Sequence, residues 1–166
     1  MYSRPFALLE ILTVLPEEVH SHHLRLGSNR RDDIVRDLNA SLPMVLEFLK
    51  SILVEKGVAD GTYKSGVFKC LRSWLTLLNR PVPGIEQHDV IRFAFQVLSD
   101  IKESHPTHEL AADAVCALIE SLDDIDSQAY PNLEVSIYNA VKALDETYVQ
   151  TVNSEDICKV RRSRTI

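Results

Sequence analysis

Three histidines stand close together in one polar stretch of the sequence, at His20, His22 and His23. Imidazole nitrogen is a common zinc ligand, and Glu17 and Glu18 precede the cluster, so a metal site is the sharpest chemical interpretation of this stretch. A closed structural zinc site needs a complete set of placed ligands, however, and no cysteine stands at matching spacing. We therefore interpret the cluster as a solvated connector, and the sequence predicts neither a metal site nor a cofactor.

The three cysteines, Cys70, Cys116 and Cys158, stand far apart and form no C-x-x-C pair. Such a sparse, odd set is neither a disulfide framework nor a zinc motif, and it favours a reducing compartment. Cys70 and Cys116 are predicted on apolar helix faces, where a thiol behaves as a small buried hydrophobe rather than as a nucleophile. No Gly-rich phosphate-binding run occurs either. The sequence predicts no catalytic or cofactor-binding residue, and thus no enzyme.

Two charged clusters have both a functional and an ordinary interpretation. The acidic turn of Asp123, Asp124 and Asp126 could receive a basic surface of a protein partner by charge complementarity. A solvated loop between helices is its default interpretation, because short charge clusters are ordinary surface. The mixed charges of residues 30–33, Arg-Arg-Asp-Asp, predict an exposed helix face.

Composition excludes several classes of protein. The chain has 166 residues, of which 45% are hydrophobic, and a net charge of −6 with an isoelectric point near 5.5. A general nucleic-acid binder needs a basic surface, so direct nucleic-acid binding is not expected. No apolar stretch approaches the roughly 20 residues of a membrane span, and Met1 to Leu15 lacks the basic start of a signal peptide. We expect a soluble, intracellular protein.

The first apolar segment, Pro5 to Leu15, predicts a helix. Pro5 fits the first turn, where a missing N–H is tolerated. We expect Pro16 to break or recast this helix, because proline cannot donate the backbone hydrogen bond of a helix interior. The predicted apolar face consists of Leu8, Ile11, Leu12 and Leu15.

The second and third helices follow connectors that contain glycine. Ser28 or Asn29 is predicted to cap the second helix with its side-chain oxygen, and Pro43 to kink or restart it. Trp74, the lone tryptophan, lies on a broad apolar stripe of the third helix and is predicted to be core rather than a binding site. That stripe consists of Tyr63, Val67, Cys70, Leu71, Trp74, Leu75 and Leu78.

Prolines mark the later boundaries. Residues 81–84, Pro-Val-Pro-Gly, form a break, His105-Pro106 is predicted to end the fourth helix, and Pro131 to open the sixth. The apolar pattern fades after Val152, so residues 1–152 are predicted as the repeat region and the basic residues 153–166 as a disordered tail. The apolar face of the fourth helix is Val90, Ile91, Ala94, Phe95, Val97, Leu98 and Ile101; that of the fifth is Ala111, Ala112, Val115, Cys116, Leu118, Ile119 and Leu122; that of the sixth is Leu133, Ile137, Val141, Leu144 and Tyr148.

Helices that alternate with short turns pack as antiparallel neighbours. The third and fifth helices look equivalent, with Cys70 and Cys116 on corresponding faces and 46 residues apart (116 − 70 = 46). This separation lies within the roughly 40–47 residue period of HEAT and armadillo repeats. The predicted fold is all-α, with about six helices in antiparallel pairs stacked as an α-solenoid of the HEAT/armadillo type, although spacing alone leaves a helical bundle open.

Residues 8–21, LLEILTVLPEEVHS, resemble a signature segment of the nuclear transport receptors of the transportin-3 and importin-13 group. Residues 24–38 continue the resemblance on the transportin-3 side, residues 67–74 are similar to a later helix of these receptors, and residues 111–118 match more loosely. The resemblance runs from Phe6 to Asp156, and LTVLPEEV is its specific part.

This resemblance implies an importin-β-type karyopherin, and within it an internal HEAT-repeat segment of the exportin-1/importin-β-like region. Such receptors carry cargo through nuclear pores and release it on binding the GTP form of Ran. Transportin-3-like members import splicing factors that have arginine–serine-rich domains. The implied partners of the full receptor are protein cargo, Ran and nuclear pore proteins, and the implied localisation is shuttling between nucleus and cytoplasm. The alternative is a generic α-solenoid interaction scaffold unrelated to transport.

The resemblance implies that the chain corresponds to an early-middle stretch of such a receptor. The repeats that make the principal Ran contacts and those that read arginine–serine cargo lie elsewhere in the family, so no Ran or cargo residue is assigned here. An incomplete gene model, an alternative transcript or a fragment would each explain the short length. We expect apolar surface at the ends of the segment, and hence self-association of the isolated chain.

Overall fold

A computed structural model describes residues 4–21, 27–56, 61–80, 82–100 and 102–123, together with residues 135, 137–139 and 142. The described ranges contain no strand, and the predicted all-α fold is confirmed. Residues 135, 137–139 and 142 are helical and belong to the predicted sixth helix; the rest of that helix and the basic tail lie outside the described residues. The elements are α1 (Arg4–His20), α2 (Ser28–Lys56), α3 (Gly61–Leu75), a short 3₁₀ helix (Ile85–Gln87), α4 (Asp89–Ser99) and α5 (His105–Asp123).

The helices stack in the manner of an α-solenoid. α3 packs against α1 on one side and α5 on the other, so these three helices are successive neighbours. α2 covers α3 and touches α1, while α4 packs on α5 and touches α2. Each helix therefore contacts mainly its near neighbours along the stack, which is how solenoid repeats bury their apolar faces.

One continuous core connects the five helices. Its largest fully buried side chain is Phe68, whose ring stacks on Phe93 of α4 with centroids 5.8 Å apart. Burying a side chain of this size stabilises the fold by about 1.5–3 kcal/mol. The other large, fully buried side chains are Leu9, Leu42, Leu46, Leu49, Leu71, Leu75, Ile85, Ile91 and Leu118.

α3 and α5 are equivalent, but their offset is 44 residues (111 − 67 = 44) rather than 46. With this offset, five buried positions of α3 fall on five buried positions of α5. Cys116 is exposed, so the prediction that Cys70 and Cys116 lie on corresponding faces is wrong. The offset remains within the period of HEAT repeats. The matching pairs are Val67 with Ala111, Cys70 with Ala114, Leu71 with Val115, Ser73 with Ala117 and Trp74 with Leu118.

Prolines proved less disruptive than the sequence suggested. α1 continues through Pro16 to His20, so the predicted break is wrong, and α2 does not restart at Pro43. His105-Pro106 begins α5 instead of ending α4, which stops at Ser99. Proline suits the first turn of a helix because its missing N–H has no partner there anyway.

Glycine residues shape the backbone at the start of α2 and in the loop before α4. The Gly27 carbonyl accepts the N–H of Arg31 at 3.0 Å, so Gly27 occupies the cap position predicted for Ser28 or Asn29. Gly84, at φ 76°, turns the chain into the 3₁₀ helix, a conformation that favours glycine. Residues 82–84, the described part of the predicted break at residues 81–84, are not helical, as predicted.

The buried face of α1 also differs from the prediction. Leu9, Pro16 and Val19 are buried, with Leu12 half-buried between them. Their steps of three, four and three follow one helix face that extends past Pro16. The predicted face placed Leu8, Ile11 and Leu15 in the core; these side chains are exposed, because apolar residues surround most of this helix and the neighbouring α3 selects only one side.

Candidate interaction surfaces

The contact between α1 and α3 explains why α1 tolerates Pro16. A proline at this position cannot donate to the carbonyl of Leu12, four residues earlier. The indole Nε1 of Trp74 donates to that same carbonyl at 2.8 Å. Trp74 is 3% exposed, so its predicted place in the core is confirmed, and its N–H has the partner that a buried indole needs.

Two further contacts fix the same pair of helices. A Cβ added at Gly66 would lie 2.6 Å from Cδ2 of Leu9, so glycine permits the close approach of α1 to α3. Ser73, which is buried, donates to Oε1 of Glu17 at 2.8 Å. These contacts hold the segment 8–21, which carries the family resemblance, against the centre of the stack.

A groove of about 550 Å³ follows the seam between these helices. It presents cations at Lys69 and Arg72, and Arg72 lies 3.7 Å from Asp113 of α5 in an exposed ion pair. Its lining combines charged and hydroxyl groups with a larger share of apolar surface, a mixture that is common on protein surfaces that contact other proteins. The groove is lined by Thr13, Glu17, His20, Ser21, Lys69, Arg72, Ser73, Thr76 and Leu110.

A second groove, of about 560 Å³, lies between α2 and α4. Lys50 and Asp89 form an exposed ion pair across it at 2.6 Å, and the hydrogen bond from Lys50 is the main cause of the lowered pKa of Asp89. At the start of α4, Nδ1 of His88 accepts the N–H of Val90 at 3.3 Å while Nε2 faces Glu47 at 3.2 Å. This side-chain cap joins the beginning of α4 to α2.

Four large apolar side chains of α1 are exposed along one strip, which we call the α1 outer strip: Leu8, Ile11, Val14 and Leu15. Ile11 is the most exposed of them, at 64%. Glu10 and Glu18 border a shallow apolar depression on this strip. A contiguous apolar patch with polar neighbours is typical of a surface that another protein element covers.

An open cavity of about 590 Å³ lies beside α4 and the 3₁₀ helix. Glu86 of the 3₁₀ helix lines it and is only 8% exposed. Nothing in the sequence distinguished Glu86, because its burial results from the turn at Gly84 and not from a helical pattern. The cavity is lined by Glu86, Arg92, Phe95, Gln96, Ser99, Asp100 and Asn139.

The structure separates the residues that the sequence singled out. His20 is exposed at the end of α1, and His22 and His23 lie outside the described residues, so the interpretation of that cluster stays a prediction. Cys70 is buried as predicted, and burial raises the pKa of its thiol to about 12, which suppresses the thiolate. Asp123 ends α5, and the remainder of the acidic turn is outside the described ranges.

Together these features define a class of protein: an α-helical solenoid with surface grooves and an exposed apolar helix face. Within the described ranges, no helix is long and apolar enough to cross a membrane. The described side chains also contain no group of three or more histidine, cysteine, aspartate or glutamate residues placed to hold a metal ion.

Comparison with known proteins shows which family this solenoid is similar to. A family model of exportin 1-like proteins matches residues 4–115. Importin-13 of Gallus gallus is 32% identical over 155 residues, and importin-13 of Homo sapiens is 30% identical over 154 residues. Each alignment covers 93% of this chain but 15% of the relative, so the chain spans about a seventh of the length of the curated relatives it matches.

The chain belongs to the exportin 1-like family, within the importin-β superfamily. Members of this superfamily are transport receptors rather than enzymes. The matched region contains α1, α2, α3, α4 and the first half of α5, and thus the whole seam between α1 and α3.

Proposed function

We propose that this chain is a segment of a karyopherin-type nuclear import receptor. The supporting observation is that both the family match and the alignment with importin-13 cover the same packed helices, including the α1–α3 seam. In this role the chain is a binding scaffold without catalysis. The chain covers 15% of importin-13 of Gallus gallus, which supports the further proposal that cargo binding and release require the rest of the receptor.

The proposed partners of the full receptor are Ran and a defined class of cargo protein. The receptor carries proteins into the nucleus in a Ran-dependent way and shuttles between nucleus and cytoplasm, and its cargo consists of splicing factors with arginine–serine-rich domains. The resemblance of residues 24–38 to the transportin-3 side of the family supports this cargo class. The net charge of −6 is compatible with a basic protein partner.

A pull-down with Ran, in its GTP and GDP forms, tests the proposal. The chain extended by the flanking sequence of its gene is compared with the 166-residue chain. We expect the extended protein to retain Ran–GTP, to ignore Ran–GDP, and to release an arginine–serine-rich cargo when Ran–GTP is added. The 166-residue chain should bind neither partner with receptor-like affinity.

Two outcomes would contradict this. An extended protein that ignores both forms of Ran would favour the alternative, a helical scaffold unrelated to transport. A 166-residue chain that is a stable monomer and binds Ran–GTP tightly would show that the short form acts by itself.

A further inference from the structure

The exposed face of α3 carries two cations, Lys69 and Arg72, three residues apart. Residues at this spacing are neighbours on a helix surface, with Cβ atoms roughly 5–6 Å apart, and like charges on neighbouring positions repel each other. With the 44-residue offset between the two helices, the equivalent positions of α5 are Asp113 and Cys116. The cation pair therefore serves no packing contact that α3 and α5 share.

Three hydroxyl groups in the groove at the α1–α3 seam already donate hydrogen bonds within the fold. Thr13 donates to the carbonyl of Leu9, one turn earlier in α1, at 2.8 Å. Ser73 donates to Glu17, the one carboxylate among the described lining residues. Thr76 donates to the carbonyl of Ser73 at 2.8 Å. These hydroxyl protons are engaged, so the charged side chains of the lining are the main donors that face a partner.

The two cations keep most of their hydrogen-bonding capacity. Among the described residues, no carboxylate lies within ion-pair distance of the Lys69 ammonium group. Arg72 reaches Asp113 through one nitrogen, 3.7 Å from the carboxylate oxygen, and the two side chains are 57% and 46% exposed. A single long contact between exposed groups contributes little to stability. The guanidinium group can therefore exchange this contact for a better one with a partner.

We propose that the groove at the α1–α3 seam binds an acidic segment of a partner protein in extended conformation. Alternate side chains of an extended chain lie on one face, roughly 6.8 Å apart, which is close to the spacing of the two cations. One carboxylate of the segment accepts two parallel hydrogen bonds from Arg72, and the carboxylate two residues away pairs with Lys69. The groove volume of about 550 Å³ falls within the range of roughly 300–1,000 Å³ that ligand sites occupy.

Charge complementarity argues for this occupant. The chain as a whole has a net charge of −6, so its overall field repels an acidic partner, and the local cation pair has to select one. The stems of the acidic side chains pack on the apolar part of the lining, which includes Leu110 of α5. This site does not depend on the proposed transport role, and it would serve a scaffold of any kind.

Fluorescence polarisation with a labelled nonapeptide tests the proposal. The probe has glutamate at positions 4 and 6 and uncharged residues elsewhere, and the matched probe has glutamine at both positions. At low ionic strength we expect the glutamate probe to bind about tenfold more tightly, the effect of two solvent-facing ion pairs. The preference should vanish in 1 M salt, where charges are screened beyond about 3 Å. A probe with glutamates at positions 4 and 5, which face opposite sides of an extended chain, should bind more weakly.

Variants of exposed side chains locate the site without disturbing the core. Lys69→Gln or Arg72→Gln alone should reduce the preference for glutamate to about threefold, and the double variant should abolish it. The control combines Arg92→Gln with Lys102→Gln, which changes the net charge equally at exposed cations outside this groove and should preserve the preference. Asp113→Asn should strengthen binding of the glutamate probe, because it removes the competing carboxylate beside Arg72.

The opposite results would overturn the inference. Equal affinity for the glutamate and glutamine probes, or a preference that survives the double variant, would exclude the two cations of α3 as the acidic-segment site. Equal losses in the double variant and its control would mean that net charge alone attracts the probe. Light scattering identifies a different occupant: if the double variant lowers the particle mass and the parent ignores the glutamate probe, a second copy of this chain fills the groove.

Discussion

α3 and α1 lie side by side in the stack, yet they are buried very differently. Eight of the 15 residues of α3 are buried, whereas α1 buries only three of its 17 residues. α3 has α1 on one side, α5 on the other and α2 across it, while among the described helices α1 packs mainly on α3. The difference follows from position: a helix inside a solenoid has neighbours on both sides, and a helix at the edge of the described stack has one.

The comparison also shows where sequence alone misleads. Both helices carry abundant apolar residues, but only the neighbours decide which of them form core. In α3 the apolar stripe and the buried face coincide, and in α1 they do not. Substitutions in the two helices therefore distinguish the contribution of contacts in the interior helix α3 from that of contacts in the edge helix α1.

Removing the indole at Trp74 should have the largest effect on stability. Trp74→Ala creates a cavity in the most enclosed helix and leaves the Leu12 carbonyl, already without a helical donor because of Pro16, unpaired. We expect a loss of about 3–5 kcal/mol in the free energy of unfolding, measured by urea denaturation. Trp74→Phe, which keeps most of the volume, should cost less than Trp74→Ala. A Trp74→Ala variant as stable as the parent would place this side chain at the surface.

Breaking the ion pair between Lys64 of α3 and Glu103, just before α5, should have the second-largest effect on stability. Lys64 and Glu103 are nearly buried, with side chains 9% and 15% exposed, so Glu103→Gln strands a buried ammonium group. We expect a loss of about 3 kcal/mol at neutral pH, because breaking one partner of a buried pair is strongly destabilising. The control is Asp89→Asn, which breaks the exposed pair with Lys50 and should change stability far less.

This pair also predicts a pH dependence. The hydrogen bond from Lys64 holds the pKa of Glu103 below its usual value of 4.5. A carboxylate with a lowered pKa stabilises the fold above about pH 4.5, and this contribution is lost as the pH falls through the folded-state pKa. Denaturation curves between neutral and acid pH should therefore converge for the parent and Glu103→Gln. A gap that widens in acid would exclude the ion pair as the cause.

Gly66→Ala should have a smaller effect, whose sign depends on Leu9. The new methyl group would meet Leu9 Cδ2, which is buried, and overpacking of this kind costs about 1–3 kcal/mol. Alanine recovers up to about 1 kcal/mol of helix propensity, so we expect a net loss of about 1 kcal/mol. In a Leu9→Ala background the clash disappears and Gly66→Ala should become stabilising. Gly61→Ala, where nothing lies within 4 Å, is the matched control.

Much of this fold follows from the apolar period of the sequence. The order of α2, α3 and α4 and the burial of Trp74 agree with it, whereas α3 ends at Leu75 and α4 at Ser99, earlier than predicted. The predicted break at Pro16 was wrong, because the effect of this proline depends on a hydrogen bond from Trp74, 58 residues later in the chain (74 − 16 = 58). The 46-residue offset from Cys70 to Cys116 aligned α3 with α5 incorrectly, because a match of residue type is weaker evidence for equivalent positions than a match of burial. Glu86 could not be found at all, because a turn and not a pattern buries it.

The smallest effect on the isolated chain, and the most informative about the edge helix, concerns the α1 outer strip. Ile11→Glu replaces the most exposed side chain of the strip and should change the stability of the isolated chain by no more than about 0.5 kcal/mol. If the strip mediates self-association, light scattering should show a shift toward monomer, whereas Met44→Glu, an equally charged change at an exposed residue of α2, should leave association unchanged.

In the extended protein we expect a further pair of helices to cover the strip, as neighbours cover α3. The same Ile11→Glu change should then bury an unpaired charge and cost about 2 kcal/mol or more. A substitution that is neutral in both settings would mean that the outer strip is free surface, and that the edge position of α1 is not a result of missing neighbours.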